Sequence, residues 1–355
     1  FSLIGRVCSY TGATSYGDAW SKSVSEKTSW LPAISCTFKT TAAVLAYSMI
    51  LADTGKALAT TAGYAVSRTQ SLLAITLTAL LPLCWMKNLS SLAPFSLLGS
   101  LGMVYTTLAM GIRYFGKAYL PGGKFAVAKD LAPSFGAKGA SSVLDPSSFI
   151  LICMLSTAYM AHFNAPKFYT ELKNNTIDRF NTVVGSSFGI SILLFSAVAC
   201  LGFLTFGANT SGLILNNYST VDNLMSFSRI AVAVSLVFSF PLAFVGVREG
   251  TMDLFGIKDR SNATLNKLTV ALLSLVTVMA LKLKDVSFVL AFAGATLGNA
   301  LIYVYPALMF RGAVKKMKDP RQGLKNEVKF ALGAAGMGIG FGIIGAKMAL
   351  KSVLG

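Results

Sequence analysis

Charge is scarce in this sequence. Only 13% of its 355 residues are Asp, Glu, Lys or Arg, about half of the roughly 25% found in soluble domains. The groups that do chemistry in water are scarcer still. There is a single histidine, His162, so no HExxH motif, no paired Cys/His ligand set and no Ser-His-Asp inventory can be assembled. Five cysteines occur, Cys8, Cys36, Cys84, Cys153 and Cys200, without a CxxC and all within or beside apolar segments. A disulfide framework needs partners in aqueous loops, so these read as packing residues. A leader is also missing: residue 1 is Phe, already inside an apolar run and without the small-residue cleavage pattern of a signal peptide. The start therefore reads as a truncation.

What is abundant is apolar. Hydrophobic residues make up 54% of the chain and mean hydropathy is +0.63. In lipid every backbone donor and acceptor must be satisfied internally, which leaves helical bundles or closed barrels. The apolar runs are continuous rather than alternating, so they predict an all-α integral membrane protein with about nine or ten spans of roughly 20 residues. Expected spans are Leu31–Leu51 (holding Lys39), Thr69–Met86, Leu92–Ile112, Ser148–Tyr169, Val183–Phe206, Ser226–Val247 (holding Pro241), Leu268–Leu283, Val286–Phe310 and Ala331–Leu350. Phe1–Tyr10 reads as the tail of one more helix and Thr11–Ser29 as a polar linker. Residues 1–355 form a single transmembrane domain in this reading, with no sizeable soluble part.

The net charge of +17 would suggest nucleic acid for a soluble protein. No nucleic-acid motif accompanies it, and basic residues in membrane proteins gather in cytoplasmic loops, so nucleic acid is excluded as a partner. If the first helix fragment ends in the cytoplasm, about 19 of the 31 Lys and Arg lie on that side and about 12 opposite. Seven of them fall in Arg311–Lys329, whereas the five in Arg113–Asp145 lie outside and run against the trend. The sequons at Asn209 and Asn217 then face outward, and those at Asn88 and Asn262 inward.

A GxGxxG pattern at Gly340, Gly342 and Gly345 has no preceding strand and lies inside an apolar helix. It fails as a dinucleotide site on context; the pairs Gly336/Gly340 and Gly338/Gly342 suit close helix packing instead. The informative segment runs from Ser156 to Pro166 and places His162, Asn164 and Pro166 inside or near an otherwise apolar span. Proline removes a backbone hydrogen bond, and polar side chains at membrane depth face a bundle interior or a water-filled cavity. Two readings stay open on these features: an interrupted helix that presents backbone groups to a substrate, or a kinked structural helix with His162 bonded to a neighbour.

The run His162-Phe163-Asn164-Ala165-Pro166-Lys167-Phe168-Tyr169-Thr170-Glu171-Leu172 resembles the sixth helix of the amino acid/auxin permease family, especially its sodium-coupled neutral amino acid transporters. Arg229 to Val234, followed by Ser239-Phe240-Pro241-Leu242 and Val247-Arg248, is similar to the eighth helix. Lys87-Asn88-Leu89-Ser90 resembles the turn between the fourth and fifth, and Phe292–Thr296 through Tyr305-Pro306 the tenth. The resemblance covers essentially the whole chain, with its motifs in family order. It implies a five-plus-five inverted-repeat transporter fold of the APC superfamily with an eleventh helix, read here from the end of helix 2 and lacking helix 1.

It also implies a secondary active transporter that moves neutral amino acids by alternating access, coupled to Na⁺ or H⁺ and needing no cofactor besides that ion. Its partners would be the lipid bilayer and the amino acid, in the plasma membrane or a vacuole-like endomembrane. Within the Ser156–Pro166 segment, His162, Asn164, Tyr159 and Thr157 are the expected substrate-binding residues of such a transporter. Ser239 stands where sodium-coupled relatives have a cation-binding Thr, or else bonds the backbone of a kinked helix. Phe163 follows His162 where relatives often carry proline. Lys39 either couples ions from within the bundle or snorkels to the interface. The alternative function is an amino acid sensor of the same fold with little flux; an intramembrane enzyme is disfavoured by the absence of paired catalytic groups.

Overall fold

The computed structural model of the protein describes residues 1–86, 93–125, 148–283 and 285–354. Helices dominate, and among the described residues there is no β-strand. In chain order they are α1 Ser2–Thr11, α2 Tyr16–Ser23, α3 Trp30–Thr61, α4 Arg68–Ile75, α5 Leu81–Trp85, α6 Ala93–Phe115, α7 Ser148–Ala158, α8 Ala165–Glu171, α9 Ile177–Phe206, α10 Asn223–Leu254, α11 Asn262–Lys282, α12 Val286–Ala293, α13 Tyr305–Lys315 and α14 Gln322–Leu354. Seven helical stretches among the described residues are long and apolar enough to cross a membrane. Arg68 to Trp85 is also nearly continuous, because a π turn at Thr76–Leu80 joins α4 to α5 ahead of Pro82. Such a bulge absorbs the hydrogen bond that proline cannot make.

The centre of the bundle is the crossing of α3 and α10. Gly246 of α10 lies against Thr40, and Gly250 against Thr37, so the two helices run antiparallel with backbones close enough that a side chain would not fit. Around this seam Val44, Met49, Phe240, Phe244, Leu273 and Val276 form the largest core. By contrast α9 turns most of its surface outward, with Ile190, Ile192 and Leu193 exposed, as a lipid-facing helix requires.

Three features depart from the sequence reading. The polar linker 11–29 contains a helix: the Ser15 hydroxyl accepts from Asp18 N at 3.1 Å, and Tyr16, Ala19 and Trp20 bury one face against α13. Three apolar residues at i, i+3 and i+4 suffice for one packed face, although the polar residues between them hide it from hydropathy. Val286–Phe310, expected as a single span, is interrupted, and Ser148–Tyr169, open between an interrupted and a kinked helix, is interrupted as well. Of the α14 glycines, Gly338 packs on Tyr303, Gly342 on Asn299 and Gly345 on Cys153, whereas Gly336 and Gly340 meet nothing within 4 Å. The close approach thus uses one helical face only. The expected turn at Lys87–Ser90 and most of the 113–145 loop lie outside the described residues. All five cysteines are free; Cys8, Cys84 and Cys153 are buried and Cys200 is exposed.

Candidate functional site

The two interrupted helices face each other. In the first, α7 ends at Ala158, a turn at Tyr159–Ala161 leads into a single 3₁₀ turn at His162–Asn164, and α8 resumes at Ala165. Pro166 sits in the first turn of α8, where its missing N–H costs nothing. It starts the second half-helix rather than kinking a continuous one. Through the break, Met160 N and Asn164 N bond three residues back, at 3.2 and 2.9 Å, and Ala161 N only two, at 3.1 Å, so backbone groups are released from the helical ladder.

In the second, α12 ends at Ala293 and the chain passes through π turns at Gly294–Gly298 and Ala300–Val304 before α13. Thr296 takes φ −96° and ψ −117°, outside helical geometry. Glycine allows the two breaks to meet. A Cβ on Gly294 would strike the Cys153 carbonyl and the Thr157 hydroxyl, and one on Gly298 would strike Met160. Across this seam Thr157 Oγ1 donates to Leu290 O at 2.7 Å. Thr157 thereby holds α7 to α12.

Beside the seam is a cavity of about 470 Å³, lined mainly by apolar side chains with Ser2, Ser156, Tyr159, His162 and Tyr303 as polar members. Its size suits a small organic ligand. His162 is buried against the Phe1 ring, centroids 4.4 Å apart, and its Nδ1 has no hydrogen-bond partner. An unpaired buried ring nitrogen is costly, and a polar ligand would satisfy it. Tyr159 stacks on Phe188 of α9 at 5.1 Å and lines the same cavity. Asn164 is half-buried at the end of the 3₁₀ turn and does not line it.

Lys39 comes to the break from α3: its Nζ lies over the Phe163 ring at 5.0 Å, a cation–π distance. Its ammonium therefore stays among the helices. Ser239 is half-buried on α10. It precedes Gly246, which packs beside Thr40, by seven residues, or about 10 Å along the helix. The structure thus joins Thr157, Tyr159, His162 and Lys39 around one break, while Ser239 lies about two turns from the Lys39 level. Among the described residues no group of three or more His, Cys, Asp and Glu could hold a metal ion.

A second polar assembly escaped the sequence reading. Asp222, fully buried, caps α10 through Leu224 N and Met225 N. It also accepts from Arg113 Nε and Nη2, at 2.8 and 2.7 Å, and from Tyr119 Oη at 2.9 Å. Burial pushes this carboxyl up, but the Arg113 and Tyr119 hydrogen bonds outweigh it and hold the group below its ordinary value. Nearby, Arg229 is 1% exposed and donates to the carbonyls of Leu215, Tyr218 and Ser219 at 2.9, 2.6 and 3.3 Å. The sequence signal available was an Asp directly before an apolar run, an N-cap pattern. In the same loop Asn209 is exposed, whereas the Asn217 carboxamide bonds Ser211 and Asn209 O.

Residues 3–345 match the model of a family described as transmembrane amino acid transporter protein. Among curated proteins, the chain is similar to sodium-coupled neutral amino acid transporter 11 of Macaca fascicularis, 26% identical over 267 residues, 75% of this chain and 56% of that protein. The Homo sapiens protein of the same name is 25% identical over 267 residues, covering 75% and 62%. Amino acid transporter AVT6E of Arabidopsis thaliana is 31% identical over 194 residues, 50% of this chain and 38% of that protein. The chain spans about three-fifths of the length of the first of these relatives.

Proposed function

The chain belongs to the transmembrane amino acid transporter family and is an integral multi-pass membrane protein, and on that premise we propose that the full-length protein is a secondary active transporter of neutral amino acids driven by a Na⁺ or H⁺ gradient. The observation that carries this reading is the meeting of two interrupted helices beside a cavity lined by His162, whose buried Nδ1 has no partner among the described residues. Released backbone groups bind the zwitterion of an amino acid without a dedicated charged side chain, and the apolar wall accommodates an uncharged side chain. The names of the similar proteins, which include neutral amino acids and sodium coupling, support the same choice.

In this mechanism Tyr159 and His162 contact substrate, Thr157 positions the break by its bond to Leu290 O, and Asn164 enters the site only when α8 moves. Ser239 contributes a hydroxyl to a Na⁺ site. Lys39 supplies a fixed charge beside the break, and its proximity to Phe163 couples ion binding to the position of the 3₁₀ turn. The fold of this reading is the five-plus-five inverted repeat with an eleventh helix, and it operates in the plasma membrane or a vacuole-like membrane.

The test is uptake of labelled neutral amino acids by proteoliposomes of the full-length protein under an imposed Na⁺ or pH gradient. Uptake should collapse when the gradient is dissipated; a broad panel showing no gradient-dependent uptake refutes the proposal. His162→Ala is expected to reduce uptake about tenfold, the equivalent of roughly 1.4 kcal/mol of lost interaction. Lys39→Gln should alter the dependence of uptake on the concentration of the driving cation while leaving the protein folded, and an unchanged dependence would make Lys39 a packing residue.

A further inference from the structure

Where α3 ends and α10 begins, a small pocket of about 220 Å³ lies apart from the cavity at the helix breaks. Arg229, Lys56, Asp53, Thr60, Asn216 and Tyr218 are among the residues that line it. Its charges do not balance. The Asp53 carboxylate is taken by Arg68, whose Nε lies 2.8 Å away. Asp222, the other carboxylate of this end, is held at 2.7 Å by Arg113. Arg229 and Lys56 form no ion pair among the described residues, although Arg229 is 1% exposed.

A guanidinium buried without a carboxylate is costly even when carbonyls take its protons. The two Nη groups of Arg229 donate to loop carbonyls, and its Nε has no partner. Nε is itself enclosed, so Arg229 acts on the pocket through its charge rather than through a free N–H. Arginine recognises carboxylates through two parallel N–H groups, and here loop carbonyls occupy both Nη groups. A buried charge with no free fork, beside the point charge of an ammonium, suits a monatomic anion. The volume agrees: at about 30 Å³ for each water, 220 Å³ holds an ion and several waters.

We propose that this pocket binds a halide ion, chloride in physiological media, between Arg229 and Lys56. The ion neutralises Arg229 and so secures the 214–219 loop and the adjoining ends of α3 and α10. Thr61 Oγ1, which donates to Thr220 O at 2.8 Å, marks the contact that would tighten.

The test measures thermal unfolding of the purified full-length protein at constant Na⁺ and ionic strength, with chloride, bromide, acetate or gluconate as the anion. Chloride and bromide should raise the midpoint saturably, and acetate and gluconate should not. Lys56 is exposed, so Lys56→Gln should fold; it should raise the half-saturating chloride concentration about three- to tenfold. Equal midpoints in chloride and gluconate overturn the proposal. So does an unchanged chloride response in Lys56→Gln, which marks a general salt effect, or stabilisation by acetate equal to that by chloride, which marks a carboxylate site. The readout is independent of uptake, so its failure leaves the transporter reading standing.

Discussion

Gly294→Ala is expected to abolish uptake by the full-length protein, whereas Gly336→Ala should leave it intact. The two glycines differ in what a methyl group meets. At Gly294 it runs into the Cys153 carbonyl and carbon, which belong to the backbone of α7, and into the Thr157 hydroxyl. Backbone cannot rotate away as a side chain can, so α7 and α12 must separate, and the Thr157–Leu290 hydrogen bond is lost with them. Overpacking of this kind costs about 1–3 kcal/mol, and a displacement near 1 Å at a binding site costs about 10²-fold in rate. Gly336 meets nothing within 4 Å, and alanine there gains about 1 kcal/mol of helix propensity. Uptake assays on both variants at matched folded yield give the result. Wild-type uptake by Gly294→Ala would show that the seam between the two breaks does not hold the site.

Asp222→Ala should cost about 2–3 kcal/mol, from charge-assisted hydrogen bonds and a helix cap. The Arg113 side chain, 23% exposed, can be solvated, which spares the full cost of a stranded buried charge. The substitution unpairs Arg113, releases Tyr119 and uncaps α10 in one step. Its signature is in acid. Because the folded-state carboxyl lies below its ordinary value, its stabilisation is fully present above the unfolded pKa of about 3.9 and is lost as pH falls through the folded value. The wild-type unfolding midpoint should therefore drop on acidification below about pH 4, and that component should be missing in Asp222→Ala. A variant that melts with the wild type at neutral pH would mean that the pair merely decorates the loop.

Much of the bundle was legible before any coordinates. The continuity and length of each apolar run are local properties, and they mark Leu31–Leu51, Val183–Phe206 and Ser226–Val247, which lie within the observed helices Trp30–Thr61, Ile177–Phe206 and Asn223–Leu254. The first break was legible too, since His162, Asn164 and Pro166 interrupt an apolar run; only its register shifted, because Pro166 begins α8. The second was not. Gly294, Gly298 and Pro306 are compatible with a continuous helix, and the π turns at 294–304 arise where that segment packs against the first break. Helix α2 was missed because Asp18, Lys22 and Ser15 mask a buried face that exists only opposite α13.

The sequence by itself determined that this protein lies in a membrane, that it is helical, and which segment carries its polar interruption. Those follow from desolvation of the backbone and from the spacing of apolar side chains, which each segment satisfies alone. Tertiary structure decided which groups meet: Thr157 with Leu290, 133 residues away, and Arg113 with Asp222, 109 residues away. It also set Lys39 against Phe163 and buried Arg229 among the carbonyls of the 214–219 loop. A polar group inside a membrane must find a partner, but that partner is chosen by how the helices pack, and no local pattern encodes it.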